Sequence, residues 1–236
     1  MPRLTTIGFD ADDTLWQNEA FFRLTEARFA ELLSHAAPQD HLMQRLLEAE
    51  RRNIGHYGFG IKGFLLSMIE TALEVTDRRV SGEVIAEILA AGREMLGHPV
   101  DLLPGARETV MAMAGTYRVI LVTKGDLMDQ ERKLAQSGLG DLFHGVEIVS
   151  DKTAAAYARI FARHGTGAEQ GMMVGNSLKS DILPMLAAGG FGVYVPHGLT
   201  WALEAAEIPK HHPRFAEISS LSDLPGMLPK LLATPL

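Results

Sequence analysis

From Met113 onward the chain alternates short apolar runs with helical ones, and few folds accommodate that rhythm. Residues 117–122 read as a buried strand and 126–136 as the helix after it. Residues 145–149 and 153–163 repeat the pair, as do 171–174 and 180–188, and 191–195 adds one more strand before Pro196. Continuous apolar strands separated by helices imply right-handed crossovers, hence a mainly parallel sheet with helices on both faces. The opening run 4–10 is equally apolar and belongs in the same α/β sheet.

Residues 17–98 have another texture. Apolar residues recur at helical spacing over 19–33, 39–52, 61–75 and 82–96, separated by Pro38, a glycine-rich stretch at 55–60, and Thr76-Asp77. No strand is needed there. The expected organisation is a core of 1–16 and 99–236 with an all-helical insertion at 17–98, the return being marked by Pro104-Gly105. Within the insertion, 53–63 is the least helix-like segment. It reads as a connector or as a substrate-facing loop carrying His56, Tyr57, Phe59 or Lys62.

With 236 residues, 47% of them hydrophobic, the chain can bury a sizeable core. A formal charge of −7 without a basic run argues against nucleic-acid binding. The absence of cysteine excludes a disulfide framework, a thiolate nucleophile and thiolate-bound metal. No apolar run approaches the roughly 18–20 residues that cross a bilayer, and the start lacks a signal-peptide pattern. A cytoplasmic protein without membrane contact, monomeric or homodimeric, is expected.

In open parallel sheets, ligands sit outside the carboxyl ends of the strands. The first strand end supplies Asp10, Asp12 and Thr14. The others supply Thr123-Lys124-Gly125, then Ser150-Asp151-Lys152, then Gly175-Asn176-Ser177 with Asp181. Clustered carboxylates at a buried strand end need a balancing cation, and a hard divalent metal with a phosphate is the natural one. Such a set suits phosphoryl transfer. A carboxylate can attack phosphorus, a second can move the proton, and a hydroxyl, a lysine and a glycine-containing turn can hold phosphate oxygens.

Taken in order, Asp10-Ala11-Asp12-Asp13-Thr14, Thr123-Lys124-Gly125, Lys152 and Gly175-Asn176-Ser177-Leu178-Lys179-Ser180-Asp181 resemble the four motifs of the haloacid dehalogenase superfamily. The resemblance spans residues 1–15 and about 100–200, and the insertion sits where that family's C1-type helical cap does. It implies a Rossmann-like core with Asp10 as nucleophile, Asp12 as general acid/base, Thr123 as phosphate ligand and Lys152 as charge stabiliser. It also implies Mg²⁺ held by Asp10, the main-chain carbonyl of Asp12, and Asp181. Asn176 stands where the family often has a carboxylate, and it would join the metal through its carbonyl or a bound water. Lys152 is followed by Thr153, where proline is common, which leaves Lys124 as a rival for its role.

Asp12 favours phosphatases over true dehalogenases, which look different at that position. The expected activity is Mg²⁺-dependent hydrolysis of a small phosphorylated metabolite. Dehalogenase, phosphomutase and weakly active binding or regulatory protein remain as alternatives. Asp13 is expected to order the turn, Asp126 to cap the helix that follows it, and Trp16 to pack beside the acidic loop.

Overall fold

In the computed structural model, which describes residues 4–233, the chain enters with β1 (Thr6–Phe9) and then leaves the sheet for four helices. These are α1 (Glu19–Leu32), α2 (Gln39–Tyr57), α3 (Ile61–Val75) and α4 (Gly82–Gly97). It returns through α5 (Ala106–Ala114) to β2 (Arg118–Lys124), α6 (Leu127–Ser137), β3 (Gly145–Val149), α7 (Ala154–His164) and β4 (Gly171–Gly175). A π-helical turn over Leu178–Ile182 runs into α8 (Leu183–Ala187), followed by β5 (Phe191–Tyr194), β6 (Phe215–Glu217) and α9 (Leu224–Ala233).

All six strands are parallel, in the order β3-β2-β1-β4-β5-β6. Chain order reverses at β1: β2 and β3 extend the sheet one way, β4 to β6 the other. The carboxyl ends of β1 and β4 therefore flank the crevice where such sheets bind ligands. Strand alternation supplies both faces. Ile7, Phe9, Val119, Leu121, Met172 and Val174 pack with Val110 of α5 and Leu228 of α9, while Ile120, Val122 and Met173 pack with Tyr157, Ile160 and Phe161 of α7. Gly8 faces the second side, where a Cβ would come within 3.1 Å of Phe161 and Met173. This is the Rossmann-like α/β architecture expected.

The chain divides into two compact units. One contains the sheet; the other comprises Ala20–Pro99 with Gly125–Asp129. The second has its own core, with Phe29, Leu33, Leu42, Leu46, Phe64, Met68 and Ile88 at its centre. Among the described residues no helix is long and apolar enough to cross a membrane.

Several local expectations are corrected. Residues 53–57 are helical, because α2 continues to Tyr57. Asn53 is buried there, its amide donating to Ser67 Oγ at 3.1 Å and to Glu70 Oε2 at 2.9 Å. That anchoring offsets the roughly 1 kcal/mol that Gly55 costs a helix interior. The break is confined to Gly58-Phe59-Gly60, with φ of 74° and 110° at the two glycines. Lys62 is paired with Asp126 at 2.9 Å. The single helix expected over 180–188 is divided. Pro184 has no N–H for the Ser180 carbonyl, and the Tyr157 hydroxyl donates to that oxygen instead at 3.0 Å. The second strand runs on through Thr123 and Lys124, and β6 and α9 are additions to the sequence reading.

Candidate active site

The turn after β1 sends two carboxylates in different directions. Asp10 extends the strand, its N–H donating to the Val174 carbonyl at 2.9 Å. One carboxylate oxygen of Asp10 accepts from the Lys152 ammonium, and the other from the Thr14 hydroxyl at 3.0 Å. Lys152 also donates to Asp181 Oδ1 at 2.7 Å. All three charged groups are buried. Burial disfavours the ammonium of Lys152, but Asp10 and Asp181 outweigh it and raise its pKa, so the lysine stays charged. Burial followed by the charge of Asp10 raises the pKa of Asp181, with Lys152 opposing.

Asp181 is positioned by its turn. Its carboxylate accepts from the Ser177 N–H at 2.9 Å, while Ser177 Oγ accepts from the Ser180 N–H at 2.9 Å. The carboxylate lies so close over Gly175 that a Cβ there would sit 2.2 Å from Asp181 Oδ2, so only glycine fits. A π-turn at such a place is a common device for presenting a functional side chain.

Asn176 completes this side. One terminal atom of its amide lies 3.2 Å from Thr14 Oγ1, Asp10 Oδ2 and the Asp12 carbonyl oxygen. The carboxylate and carbonyl are acceptors only, so hydrogen bonding by itself turns the NH₂ toward them. With the amide oxygen turned inward, the same place is lined by carboxylate, carbonyl and amide oxygens, a donor set that suits a hard cation. Among the described residues no three His, Cys, Asp or Glu side chains converge as metal ligands. The oxygens at this place come from the Asp10 carboxylate, the Asp12 main chain and the Asn176 amide. Magnesium needs no more, since it is usually held by one or two carboxylates and keeps several waters.

The Asp12 side chain lies on the other side of the turn. Its Oδ1 accepts from Trp16 Nε1 at 2.7 Å and Lys133 Nζ at 2.9 Å, and its Oδ2 from Gln130 Nε2 at 2.8 Å. Burial works against its ionisation, yet Lys133 foremost, then Gln130 and Trp16, bring its pKa below the usual aspartate value. Thr123 reaches the same network, its hydroxyl donating to Gln130 Oε1 at 3.1 Å. That hydroxyl has one proton, so a phosphate oxygen at Thr123 would compete with Gln130 for it.

Lys124 points elsewhere, to Ser180 Oγ at 2.7 Å and Glu204 Oε1 at 2.5 Å. Glu204 also accepts from Ser177 and Ser180 at 2.5 Å each, tying the segment after β5 to the π-turn. Burial opposes its charge, but Lys124 and the two serines lower its pKa. Gly125 adopts φ 141°, a conformation glycine favours, at the head of the 125–129 stretch. Asp13, at φ 59°, accepts from the N–H groups of Asn18 and Glu19 at 2.9 Å each, ordering the turn as expected. Asp126 Oδ1 accepts from the Asp129 N–H at 3.2 Å, a helix-capping contact.

Asp10, the Asp12 carbonyl, Lys152, Asn176 and Asp181 thus come together, and the Asp12 carboxylate meets Thr123 through Gln130. Sequence reasoning missed Gln130, Lys133 and Glu204. The first two carried a signal: Gln130, Lys133, Leu134 and Ser137 share one stripe of α6 at i, i+3, i+4 and i+7. Two polar residues on the inward face of a helix point to a buried polar network.

A family model described as haloacid dehalogenase-like hydrolase matches residues 4–189. The structure is similar to that of a haloacid dehalogenase-like family hydrolase from Xanthomonas campestris, with 43% identity over 97% of this chain and 91% of the other, at a TM-score of 0.85. It also resembles a candidate hydrolase of that family from Bacillus subtilis, solved bound to magnesium (18% identity, 96% and 99% covered, TM-score 0.68). A 2-haloacid dehalogenase from Pseudomonas syringae pv. tomato has the same fold (20% identity, 96% and 99% covered, TM-score 0.59). Those two likenesses establish the fold alone. No curated protein matches the chain.

Proposed function

The chain belongs to the haloacid dehalogenase-like hydrolases, and from that premise we propose that it is a Mg²⁺-dependent phosphohydrolase of small phosphomonoesters, working through an aspartyl phosphate on Asp10. The observation that carries this reading is Asp12. A second carboxylate leaves the same turn as Asp10, held by three donors and only partly buried. Phosphoester chemistry needs such a group beside the nucleophile, because an alkoxide leaves only when protonated.

In the first step a carboxylate oxygen of Asp10 forms a bond to phosphorus while the ester P–O bond breaks, and Asp12 gives the leaving oxygen its proton. An arriving phosphate dianion favours the protonated form of Asp12, against the influence of Lys133. In the second step Asp12 takes a proton from water, the water oxygen bonds to phosphorus, and the Asp10–phosphorus bond breaks. Lys152, buried and charged, offsets the negative charge gathered around Asp10 in both steps. Asp10, the Asp12 carbonyl, Asp181 and Asn176 would hold magnesium, which when bound would supply positive charge to offset the carboxylates and the phosphate. Thr123 and the start of the following turn would bind phosphate oxygens. The helical insertion, placed in the chain between the Asp10 and Thr123 motifs, would act as the C1-type cap.

The test is phosphate release from a panel of phosphomonoesters with Mg²⁺, for wild type and Asp10→Asn. Release that Asp10→Asn abolishes is expected. No release by wild type from any ester would overturn the reading. Halide release from 2-haloacids without metal would replace it with dehalogenation.

A further inference from the structure

Lys133 is a buried lysine whose ammonium meets the Asp12 carboxylate. It lies on α6, away from any strand end, yet its ammonium is largely withdrawn from solvent and donates to Asp12 Oδ1 at 2.9 Å and Asn18 Oδ1 at 2.7 Å. Burying an ammonium costs several kcal/mol unless it is paired. One turn earlier on the same helix, Gln130 is also buried. The Thr123 hydroxyl holds its amide oxygen, so the amide nitrogen is the end that faces Asp12 Oδ2. Trp16, fully buried, also donates to Oδ1.

We propose that Lys133 and Gln130 are positioning residues that hold the Asp12 carboxylate in the orientation from which it serves the leaving-group oxygen. This rests on the phosphohydrolase reading above. The geometry also distinguishes the two oxygens. Oδ1 is taken by two donors, Trp16 and Lys133, whereas Oδ2 has one, Gln130. Oδ2 is therefore the oxygen that carries the proton to the leaving group. Without Lys133 and Gln130 the carboxylate keeps only the Trp16 contact and samples other rotamers. Proton delivery then suffers, while the attack of Asp10, gripped by Lys152 and Thr14 on the other side of the turn, does not.

The experiment separates those two effects by leaving group. An aryl phosphate such as p-nitrophenyl phosphate expels a stable phenolate, whereas an alkyl phosphate such as glycerol phosphate needs its leaving oxygen protonated. The quantity is kcat/KM, which reports the steps through the first phosphoryl transfer. For Lys133→Met, kcat/KM on the alkyl ester is expected to fall about 10- to 100-fold, within the range general acid catalysis supplies. On the aryl ester it should fall less than about threefold, since that leaving group draws little on the acid. Gln130→Met, which leaves the charge pair intact, should show the same bias more weakly, and it carries the test if Lys133→Met fails to fold. Lys133→Arg should recover part of the alkyl activity. Equal losses on both esters, or none on either, would overturn the assignment of Lys133 and Gln130 alone. The two esters are taken from the aryl and alkyl phosphates that wild type hydrolyses; wild type inactive on every ester of the panel would overturn the phosphohydrolase reading, and this assignment with it.

Discussion

Asp10 and Asp12 leave one turn and end in opposite settings, each with its own lysine. On the inner side the Asp10, Lys152 and Asp181 side chains are 9%, 2% and 1% exposed, and two carboxylates share one ammonium. On the outer side Asp12 is 23% exposed and Lys133 9%, and the two are paired. The inner cluster has surplus negative charge and little water, which suits a fixed nucleophile and a bound cation. The outer pair is in reach of solvent, which suits a group that must exchange protons. Under the proposed function, the same residue type would take two roles because its environment differs.

Removing each lysine in turn should expose that difference. Lys152→Met is expected to cost about 3–5 kcal/mol at neutral pH, the penalty for stripping the counter-charge from buried carboxylates. Its deficit in urea unfolding should shrink on acidification. Burial already raises the pKa of Asp181, and without the opposing Lys152 that carboxylate binds a proton in the folded chain at pH values where the unfolded chain does not, so stability rises as pH falls. Magnesium should restore part of the loss. A neutral-pH stability equal to wild type would mean that the Lys152 charge does not hold the inner side together.

Behind the inner side, Glu204→Gln should be milder, about 1.5–3 kcal/mol for loss of a charged hydrogen-bond partner. The lowered pKa of Glu204 places its contribution above the ordinary glutamate value of 4.5, fading as pH falls below it. The gap in Tm between wild type and variant should therefore close in acid, and a gap independent of pH would deny that Glu204 acts through its charge. Lys133→Met should be smallest, about 1 kcal/mol or less, because Asp12 keeps access to water. That loss too should vanish at low pH, since Lys133 depresses the pKa of Asp12 and its contribution is present only while the aspartate is ionised. Losses of equal size at Lys152 and Lys133 would erase the comparison.

What could be read from the sequence follows the same division. The inner side consists of residues within a few positions of strand ends, where apolar runs give way to charge: Asp10 follows β1 directly, Lys152 lies three residues after β3, and Asp181 sits in the turn that follows β4. The outer side is assembled from α6, and a helix places its residues by angle rather than by succession. The helical stripe shared by Gln130 and Lys133 can be seen in the sequence, but its facing Asp12 follows only once α6 is set against the sheet. Glu204 lies in an irregular segment with no periodicity to read, and its partners Lys124, Ser177 and Ser180 are brought to it only by the folded sheet. The parallel sheet was legible for a comparable reason, since buried parallel strands are continuous apolar runs. The course of α2 through Gly55 was not, because burial of Asn53 outweighed local propensity.

The most direct test of the account is to trap the proposed intermediate. Wild type is mixed with Mg²⁺ and an aryl phosphate, quenched in acid within the first turnovers, digested, and read by mass spectrometry. A phosphoryl adduct on the Asp10 carboxylate, absent from Asp10→Asn, is the predicted result. Sustained phosphate release with no adduct at Asp10, and with undiminished release by Asp10→Asn, would contradict it.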